Sequence, residues 1–437
     1  MRKTLLAIAM LTIFAGAPPS FGEPPAAECA PSYFQLSDGS GVDIAPLDEE
    51  HFRWRRPDGT SGLLSRREDG LWSSSLGWTG REDGVVVDLS GCGQGVVRFD
   101  GQTGQRVEFE TAETRFSSGD AQLAGRLVLP QSEEVVPILV LVHGSENASA
   151  LERYALQRLL PAQGIGVFVY DKRGTGSSGG AFTHDIVQLA RDATIAAQTA
   201  RSLAGARAGR LGYYGTSQGG WTAPLAANMG QVDFVVVGYG LAVSPAEEDE
   251  EALALDMQRN GFGPDEVAKA QEIGAAAINI LRSDFRSGYE ELRAVIAKYE
   301  DEPWFGYVRG NITGIMIAMP EAQLREWGPQ FLPGILPDYD PLPVLHELET
   351  PQLWILGAED IDAPYLETYR RLMDLRRAGH RIAVVVYPDV EHGLYAFEVE
   401  NGERLSTRQP ASLQRLIATF ARGAPLDARY DDAQIVP

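Results

Sequence analysis

The sequence predicts an α/β protein with a mostly parallel sheet, an antiparallel β unit before that sheet and a helical insertion within it. From Leu127 onward, apolar strand-like runs alternate with helical stretches, which is typical of a parallel sheet covered by helices on both faces. Between residues 31 and 119, short alternating segments are separated by Asp-Gly turns, which indicates antiparallel hairpins. Residues 244–341 have helical spacing and no convincing strand.

Chain length supports this division, because 437 residues exceed the usual size of one compact domain. Hydrophobic residues make up 44% of the chain, which is enough for a large core. We predict five segments. These are an export signal (residues 1–22), an N-terminal β domain (23–119), a first part of the α/β core (120–243), a helical cap insertion (244–341) and a second part of the core (342–437).

The N-terminus has the pattern of an export signal. Arg2 and Lys3 precede an apolar run at residues 5–14, and small residues and prolines follow. The run is too short to span a bilayer, so membrane insertion is not expected. Cleavage near Ala17 and cleavage near Gly22 both fit the pattern. We therefore expect a periplasmic or secreted protein.

Two cysteines, Cys29 and Cys92, are the only ones in the chain. In an oxidising compartment a single pair predicts a disulfide, and two unpaired small apolar residues are the alternative.

Net charge limits the partners that the chain can have. The formal charge of -22 argues against nucleic acid and anionic membranes, which would repel such a surface. The acidic run at residues 247–251 is interpreted as a solvated helix start rather than a binding patch. The sequence lacks the phosphate-loop lysine motif, the His-Glu-x-x-His motif and paired-cysteine spacing, so we expect no cofactor and no metal. The oligomeric state is not indicated.

The strongest chemical motif is Gly-Thr-Ser-Gln-Gly at residues 215–219, with Ser217 at its centre. A strand-like run precedes it, and a helix can follow from Trp221. A Gly-x-Ser-x-Gly sequence between a strand and a helix forms a sharp turn that raises the serine hydroxyl above the sheet. We predict Ser217 as a nucleophile, and an ordinary Gly- and Ser-rich turn is the alternative.

A serine hydroxyl needs a base to accept its proton. In this strand-turn-helix arrangement, the acid and then the histidine follow the serine along the chain. Of the six histidines, only His380 and His392 come late enough. His392 follows the apolar run at residues 382–387 and would lie at the same sheet edge as Ser217, whereas His380 precedes that run. We predict His392 as the base.

The acid is expected from the segment that follows the apolar run at residues 353–356. That segment contains Glu359, Asp360 and Asp362. We predict Asp360 as the acid that orients the histidine, with Asp362 as the main alternative.

Acyl transfer also requires N–H donors for the negative charge that develops on the carbonyl oxygen. A strand-like run ends at His143, and the backbone N–H of Ser145 would then be well placed. The N–H of Gln218, directly after the nucleophile, would be the second donor. His143 is interpreted as structural rather than as a base.

A Gly-rich stretch at residues 174–179 matches the dinucleotide-binding fingerprint and follows a strand-like run. However, Asp-Lys-Arg intervenes between the run and the glycines, and this is not the first strand-helix unit. We therefore favour a loop at the rim of the active site over nucleotide binding.

Five short motifs occur in order along the chain: His-Gly-Ser (143–145), Asp-Lys-Arg-Gly-x-Gly-x-Ser (171–178), Gly-Thr-Ser-Gln-Gly-Gly (215–220), Gly-x-x-Asp (357–360) and Glu-His-Gly (391–393). In this set the chain resembles the α/β-hydrolase superfamily. It is similar to bacterial exported esterases and to serine peptidase-like or acyl-thioesterase-like members with an N-terminal β domain. The resemblance covers residues 126–420 apart from the insertion.

The resemblance implies an α/β-hydrolase fold with a catalytic triad. Ser217, Asp360 and His392 would be nucleophile, acid and base, and Ser145 and Gln218 would donate to the oxyanion. Similar esterases often continue the His-Gly-Ser loop with a further glycine, where this chain has Glu146.

We expect hydrolysis of small to medium carboxylic esters through an acyl-enzyme. The insertion would form a cap, and its aromatic and methionine residues suggest an apolar pocket. The alternatives are a serine peptidase or aminopeptidase-like enzyme acting on short peptides, an acyl-thioesterase and a non-catalytic binding protein on the same fold.

Overall fold

The computed structural model describes residues 29–436 of the chain. The predicted export signal at residues 1–22 lies outside the described residues.

An antiparallel barrel of eight strands forms the N-terminal part of the structure. Phe34, Trp54 and Phe99 fill its interior, and a disulfide joins Cys29 to Cys92. The predicted disulfide and the predicted antiparallel β domain are thus present. The strands are β1 (Ser32–Leu36), β2 (Gly41–Pro46), β3 (His51–Arg55), β4 (Ser61–Arg66), β5 (Trp72–Leu76), β6 (Glu82–Asp88), β7 (Val96–Phe99) and β8 (Gln102–Arg106).

A nine-stranded sheet forms the centre of the α/β domain, in the order β20-β16-β15-β14-β13-β11-β12-β10-β9. The strands from β16 to β12 run parallel, whereas β9, β10 and β20 are antiparallel additions at the edges. The prediction of a mostly parallel sheet is confirmed. The strands after the barrel are β9 (Phe109–Ser118), β10 (Ala121–Pro130), β11 (Val136–Val142), β12 (Gly166–Tyr170), β13 (Ala208–Thr216), β14 (Phe234–Gly238), β15 (Gln352–Gly357), β16 (Ile382–Tyr387), β17 (Val390–Glu391), β18 (Tyr395–Glu400), β19 (Glu403–Arg408) and β20 (Gln434–Val436).

The strand β9 lies in the segment that the sequence assigned to the N-terminal β domain. It nevertheless pairs along its whole length with β10 and is therefore part of the large sheet. The barrel itself ends with β8 at Arg106.

Twelve α-helices occur within residues 29–436. Both faces of the large sheet are covered, as predicted. The helices α3, α4, α10 and α11 pack on one face, and α1, α2 and α12 pack on the other. The helices are α1 (Ala150–Arg153), α2 (Leu156–Leu159), α3 (Ile186–Ala204), α4 (Gly219–Met229), α5 (Pro245–Arg259), α6 (Pro264–Arg282), α7 (Tyr289–Tyr299), α8 (Thr313–Ala318), α9 (Glu321–Phe331), α10 (Leu342–Glu347), α11 (Tyr365–Arg377) and α12 (Leu413–Ala421).

The insertion between β14 and β15 is helical, as predicted, and it has a hydrophobic core of its own. Trp304 and Met316, expected to line an apolar pocket, are buried inside that core instead. Helix α5 begins with a capping box between Ser244 and Glu247. The acidic run is therefore a helix start, but Asp249 within it is fully buried, where it accepts hydrogen bonds from the Thr313 hydroxyl and nearby backbone N–H groups.

The barrel contacts the α/β domain at several points, among them helix α2 and the chain near β19. A buried ion pair joins Asp43 of β2 to Arg158 of α2 through two hydrogen bonds. In one of them the Arg158 Nη2 donates to the Asp43 Oδ2 at 3.0 Å. Near β19, the Gln409 N–H donates to the Gly59 carbonyl at 3.0 Å. A Cβ on Gly59 would lie 2.1 Å from the Gln409 carbonyl oxygen, so this approach requires glycine. The barrel thus packs against the chain segment that follows residue 392.

Breaking the buried ion pair is expected to destabilise the protein strongly. Asp43→Asn leaves the Arg158 guanidinium buried without a counter-charge, which costs about 3–5 kcal/mol. Urea unfolding followed by tryptophan fluorescence measures this cost. The matched control Glu133→Gln changes the same charge at an exposed position and should leave the transition unchanged. An Asp43→Asn transition equal to that of the control would contradict the assignment.

Within residues 29–436, no helix combines the length and the apolar character needed to cross a bilayer.

Candidate active site

Ser217 lies at the sharp turn between β13 and α4. Its φ of +50° is a left-handed conformation that non-glycine residues rarely adopt. The Ser217 N–H donates to the Gly238 carbonyl at 3.1 Å, which ties the turn to the neighbouring strand. A Cβ on Gly215 would lie 2.1 Å from the Gly219 carbonyl oxygen, which explains why glycines flank the serine. The predicted strand-turn-helix context of the motif is present.

His392 follows β16 and β17 and reaches the serine from the C-terminal part of the chain. Its Nε2 lies 3.2 Å from the Ser217 Oγ, and its Nδ1 lies 2.9 Å from the Asp360 Oδ2. A proton on Nδ1 donates to Asp360 and leaves Nε2 free to accept from the serine hydroxyl. His380 lies at the opposite end of β16, near Ile382.

Asp360, rather than Asp362, contacts His392. The Asp360 side chain is almost fully buried, and its Oδ1 accepts N–H hydrogen bonds from Asp362 at 3.0 Å and from Ala363 at 2.7 Å. These bonds hold the carboxylate in one orientation. Glu359, the third carboxylate of the segment, pairs with Arg259 and Arg404 instead.

The charges around His392 determine when its ring is protonated. Burial by itself would lower the pKa of His392, but the hydrogen bond and charge of Asp360, with smaller effects from Asp362 and Glu248, outweigh it and raise the pKa above 6.5. Burial raises the pKa of Glu248 to about 8. The amide of Asn311, in the insertion, lies 3.3 Å from the Glu248 carboxylate and also donates to the Asp362 carbonyl at 2.5 Å. The insertion therefore reaches the segment that carries Asp360.

The two predicted oxyanion donors lie on segments that approach each other closely. Ser145 follows Gly144, where a Cβ would lie 3.2 Å from the Ser217 Cβ. Gln218 follows the serine and begins α4. Among the described residues, no protein acceptor takes the N–H of Ser145 or of Gln218. Both N–H groups are therefore available to an oxygen atom beside the serine.

Behind the loop that carries Ser145, His143 and Lys172 form a buried support. The His143 Nε2 accepts the Lys172 backbone N–H at 3.1 Å, and the Lys172 Nζ donates to the Gly144 carbonyl at 2.7 Å. Burial lowers the pKa of His143 to about 4 and that of Lys172 to about 8. These contacts agree with the structural interpretation of His143. The role of Lys172 was not predicted, although it lies in the Asp-Lys-Arg motif.

The Gly-rich stretch after β12 uses its backbone N–H groups within the protein. The buried Asp171 accepts the Ser177 N–H at 2.8 Å, and Gly174 donates to the Gly179 carbonyl at 3.0 Å. A Cβ on Gly176 would lie 2.0 Å from an Asp171 oxygen. The glycines therefore close a loop around Asp171 and do not form a phosphate cradle.

The side chain of Gln218 links the turn at Ser217 to the insertion. Its amide donates to the His184 Nδ1 at 2.9 Å, and the His184 Nε2 lies 3.2 Å from the Phe331 carbonyl at the end of α9. The His184 N–H also donates to the Pro333 carbonyl at 2.7 Å. His184 was not predicted, because nothing near it in the chain marks it as part of the site.

Glu146 also stands at this site, where similar esterases often have glycine. A Cβ placed on Gly144 would lie 2.8 Å from the Glu146 Oε2, and this Cβ would also approach the Ser217 Cβ. The Tyr154 hydroxyl donates to its Oε1. The departure from the glycine pattern was the only sequence signal for this residue.

The model of the alpha/beta hydrolase family matches residues 139–406, which is more than half of the chain. The chain belongs to the alpha/beta hydrolase family. The matched region runs from β11 through β19 and includes the insertion, Ser217, Asp360 and His392. The protein is therefore a member of a hydrolase family, with an N-terminal β barrel added to the fold.

Several solved structures are similar to this chain at low identity. An acylaminoacyl peptidase from Pyrococcus horikoshii is 13% identical with a TM-score of 0.44, over 89% of this chain and 57% of that chain. An esterase from Pyrococcus furiosus is 14% identical with a TM-score of 0.41, over 65% of this chain and 84% of that chain. A proline iminopeptidase from Mycobacterium smegmatis is 18% identical with a TM-score of 0.42, over 71% of this chain and 98% of that chain.

This chain thus spans little more than half the length of the acylaminoacyl peptidase. No curated protein is similar enough to count as a match. Likenesses this distant do not identify a substrate.

Proposed function

We propose that this protein is a serine hydrolase that cleaves carboxylic esters of small to medium size through an acyl-enzyme. The observation that carries the proposal is the chain of contacts from the Ser217 Oγ through the His392 ring to Asp360, at 3.2 and 2.9 Å. These distances are within reach of proton transfer from the hydroxyl to the imidazole.

In the first step the Ser217 oxygen attacks the ester carbonyl, and its proton passes to the His392 Nε2. The carbonyl oxygen becomes negatively charged and accepts hydrogen bonds from the N–H groups of Ser145 and Gln218. Collapse of this intermediate breaks the ester C–O bond, and His392 donates its proton to the departing alcohol. Asp360 stabilises the imidazolium that forms in between.

In the second step a water molecule attacks the acyl-enzyme. His392 accepts the proton of the water, a second tetrahedral intermediate forms, and its collapse returns the proton to the Ser217 oxygen while the acid leaves. The same residues would serve a peptidase or a thioesterase, because only the leaving group differs. A small-molecule ester or short peptide is the proposed partner, in the periplasm or outside the cell, where the Cys29–Cys92 disulfide would persist.

Fluorophosphonate labelling followed by peptide mapping tests the proposal. We expect one labelled site, at Ser217, because only a serine activated by a base attacks the phosphorus rapidly. Hydrolysis of p-nitrophenyl esters and of aminoacyl p-nitroanilides then separates esterase from peptidase activity. Absence of label would contradict the serine mechanism, and turnover of the anilides without turnover of the esters would favour a peptidase.

The pH dependence of kcat/KM should show an acidic limb above pH 6.5. Protonated His392 has no lone pair on Nε2, so activity is present above its raised pKa and is lost as the pH falls through it. Removing a negative charge near the ring lowers that pKa, so Asp362→Asn should shift the limb to lower pH. An ester without ionisable groups is the proper substrate. A limb that lies below pH 6.5 in the unmodified protein would contradict the raised pKa of His392.

A further inference from the structure

The carboxylate of Glu146 stands beside the position at which acyl transfer would occur. Glu146 follows Ser145, whose N–H is one of the two proposed oxyanion donors. A Cβ on Gly144 would approach both the Glu146 Oε2, at 2.8 Å, and the Ser217 Cβ, at 3.2 Å. The carboxylate and the nucleophile therefore flank the same glycine. The Glu146 side chain is 41% exposed, so a substrate in the cleft can contact it.

One oxygen of this carboxylate is held by the protein, and the other remains available. The Oε1 accepts the Tyr154 hydroxyl and lies 3.7 Å from the His143 Nδ1. Since the His143 Nε2 accepts an N–H, its Nδ1 carries the proton and points toward Glu146. Among the described residues, no side chain donates a hydrogen bond to the Oε2. The carboxylate is thus fixed by one oxygen beside the oxyanion loop.

The Glu146 carboxylate carries a negative charge at neutral pH, because its pKa is lowered. Burial by itself would raise its pKa, but the His143 ring, the Tyr154 hydrogen bond and the Lys172 ammonium outweigh it and lower the pKa. Burial raises the pKa of Asp362 and Glu248, on the His392 side of the cleft.

Among residues 29–436, no lysine or arginine lies within salt-bridge distance of this carboxylate. Lys172, whose charge helps to lower the Glu146 pKa, donates to the Gly144 carbonyl instead. The negative charge of Glu146 is therefore without a direct partner on the side that faces the cleft.

A fixed anion beside an oxyanion hole has an electrostatic consequence. It repels the negative charge that develops on the carbonyl oxygen, which disfavours the reaction of an uncharged acyl group. A positive charge on the acyl group removes that repulsion and forms an ion pair with the carboxylate. Trp304 and Met316, two large apolar side chains of the insertion, are buried in its own core.

We propose that Glu146 binds an ammonium group on the acyl part of the substrate, so that this hydrolase selects acyl groups that carry a free amine. The proposal rests on the serine hydrolase function proposed above and specifies its substrate class. The carbonyl oxygen would lie at the Ser145 N–H, one residue from Glu146, so the ammonium belongs on a carbon close to the carbonyl. Glu146 is then a specificity-determining residue that contacts the substrate.

Two pairs of ethyl esters test the proposal, because within each pair an ammonium group replaces a methyl group of similar size. Ethyl L-alaninate is compared with ethyl isobutyrate, and ethyl β-alaninate with ethyl butyrate. We expect a kcat/KM about 10-fold or more higher for the amine in at least one pair. Equal values within both pairs, or a preference for the uncharged esters, would overturn the proposal.

Three variants separate recognition of charge from support of the loop. Glu146→Gln keeps an acceptor for Tyr154 and removes the charge, so kcat/KM should fall about 10-fold or more for the amine esters and should not fall for the uncharged ones. Tyr154→Phe keeps the charge and removes the contact, so the preference for amines should persist. Glu152→Gln removes an exposed charge from α1 and serves as the matched control. An equal loss on both members of a pair in Glu146→Gln would show a structural role and overturn the proposal.

The proposed function and this inference fail in distinguishable ways. If Ser217 takes up the fluorophosphonate and the esters are hydrolysed with no preference for the amine in either pair, the serine mechanism holds and amine selection is wrong. If Ser217 is not labelled and none of the four esters is hydrolysed, both proposals are wrong.

Discussion

Ser217→Ala is expected to lower kcat for ester hydrolysis by a factor on the order of 10⁴–10⁶. The hydroxyl oxygen forms the acyl-enzyme, and neither a methyl group nor His392 can replace it. The remaining N–H donors of Ser145 and Gln218 can still stabilise an oxyanion, so a residual rate above that of water is expected. Steady-state kinetics with a p-nitrophenyl ester measures the loss.

A matched control distinguishes this loss from a general effect of the substitution. Ser202→Ala makes the same change at an exposed position of α3 and should leave kcat unchanged. The thermal unfolding of Ser217→Ala should also stay close to that of the unmodified protein, because the change removes one partly exposed hydroxyl contact. Activity of Ser217→Ala within a few-fold of the unmodified protein would remove the serine from the mechanism.

Asp360→Asn is expected to lower kcat by a factor of about 10⁴. The carboxylate accepts the proton of the His392 Nδ1, whereas the amide of asparagine can donate to that nitrogen. Donation to Nδ1 favours the tautomer that carries its proton on Nε2, which then faces Ser217 without a lone pair. The serine loses its base although every atom remains close to its original place.

Asp362→Asn is the matched control, since it makes the same change two residues away. Asp362 donates its backbone N–H to Asp360 at 3.0 Å, and the substitution preserves that bond. We expect kcat to fall less than 10-fold, because Asp362 acts on His392 only through its charge. A larger loss in Asp362→Asn than in Asp360→Asn would identify Asp362 as the acid.

The barrel also contacts the chain segment next to His392 in the candidate site. The Gln409 amide donates to the Gly393 carbonyl, next to His392, at 2.9 Å, while the Gln409 backbone binds Gly59 of the barrel. Trp78 of the barrel packs edge-on against Tyr395, with 4.7 Å between ring centroids. The barrel therefore contacts and supports the segment that carries His392. The antiparallel pattern of residues 31–119 could not indicate these contacts.

The nucleophile turn and the order of the candidate triad could be predicted because their signals are local. Ser217 is flanked by glycines that the turn requires, and His392 follows an apolar strand that ends at the same edge of the sheet. Asp360 and Asp362 could not be separated in this way, because two residues in one loop differ only in where the backbone directs their side chains. The N–H bonds from Asp362 and Ala363 to Asp360 determine that direction.

Other features of the site depend on contacts between segments distant in the chain. His184 joins Gln218 to the end of α9, across 147 residues to Phe331, and no local pattern predicts such a contact. The aromatic and methionine residues of the insertion fit a pocket or a core equally well by composition. The structure places Trp304 and Met316 in a core, because the helices of the insertion bury their apolar faces against one another.

By itself, the sequence determined the class of fold, the disulfide pair and the turn that presents Ser217, because hydrophobic periodicity, a single cysteine pair and obligatory glycines are properties of short segments or of composition. Tertiary structure alone decided which carboxylate contacts His392, how the barrel contacts the segment that carries His392 and where the Glu146 carboxylate lies. These last features depend on the relative placement of side chains from separate strands and loops, and that placement is set by packing of the whole chain rather than by any one segment of it.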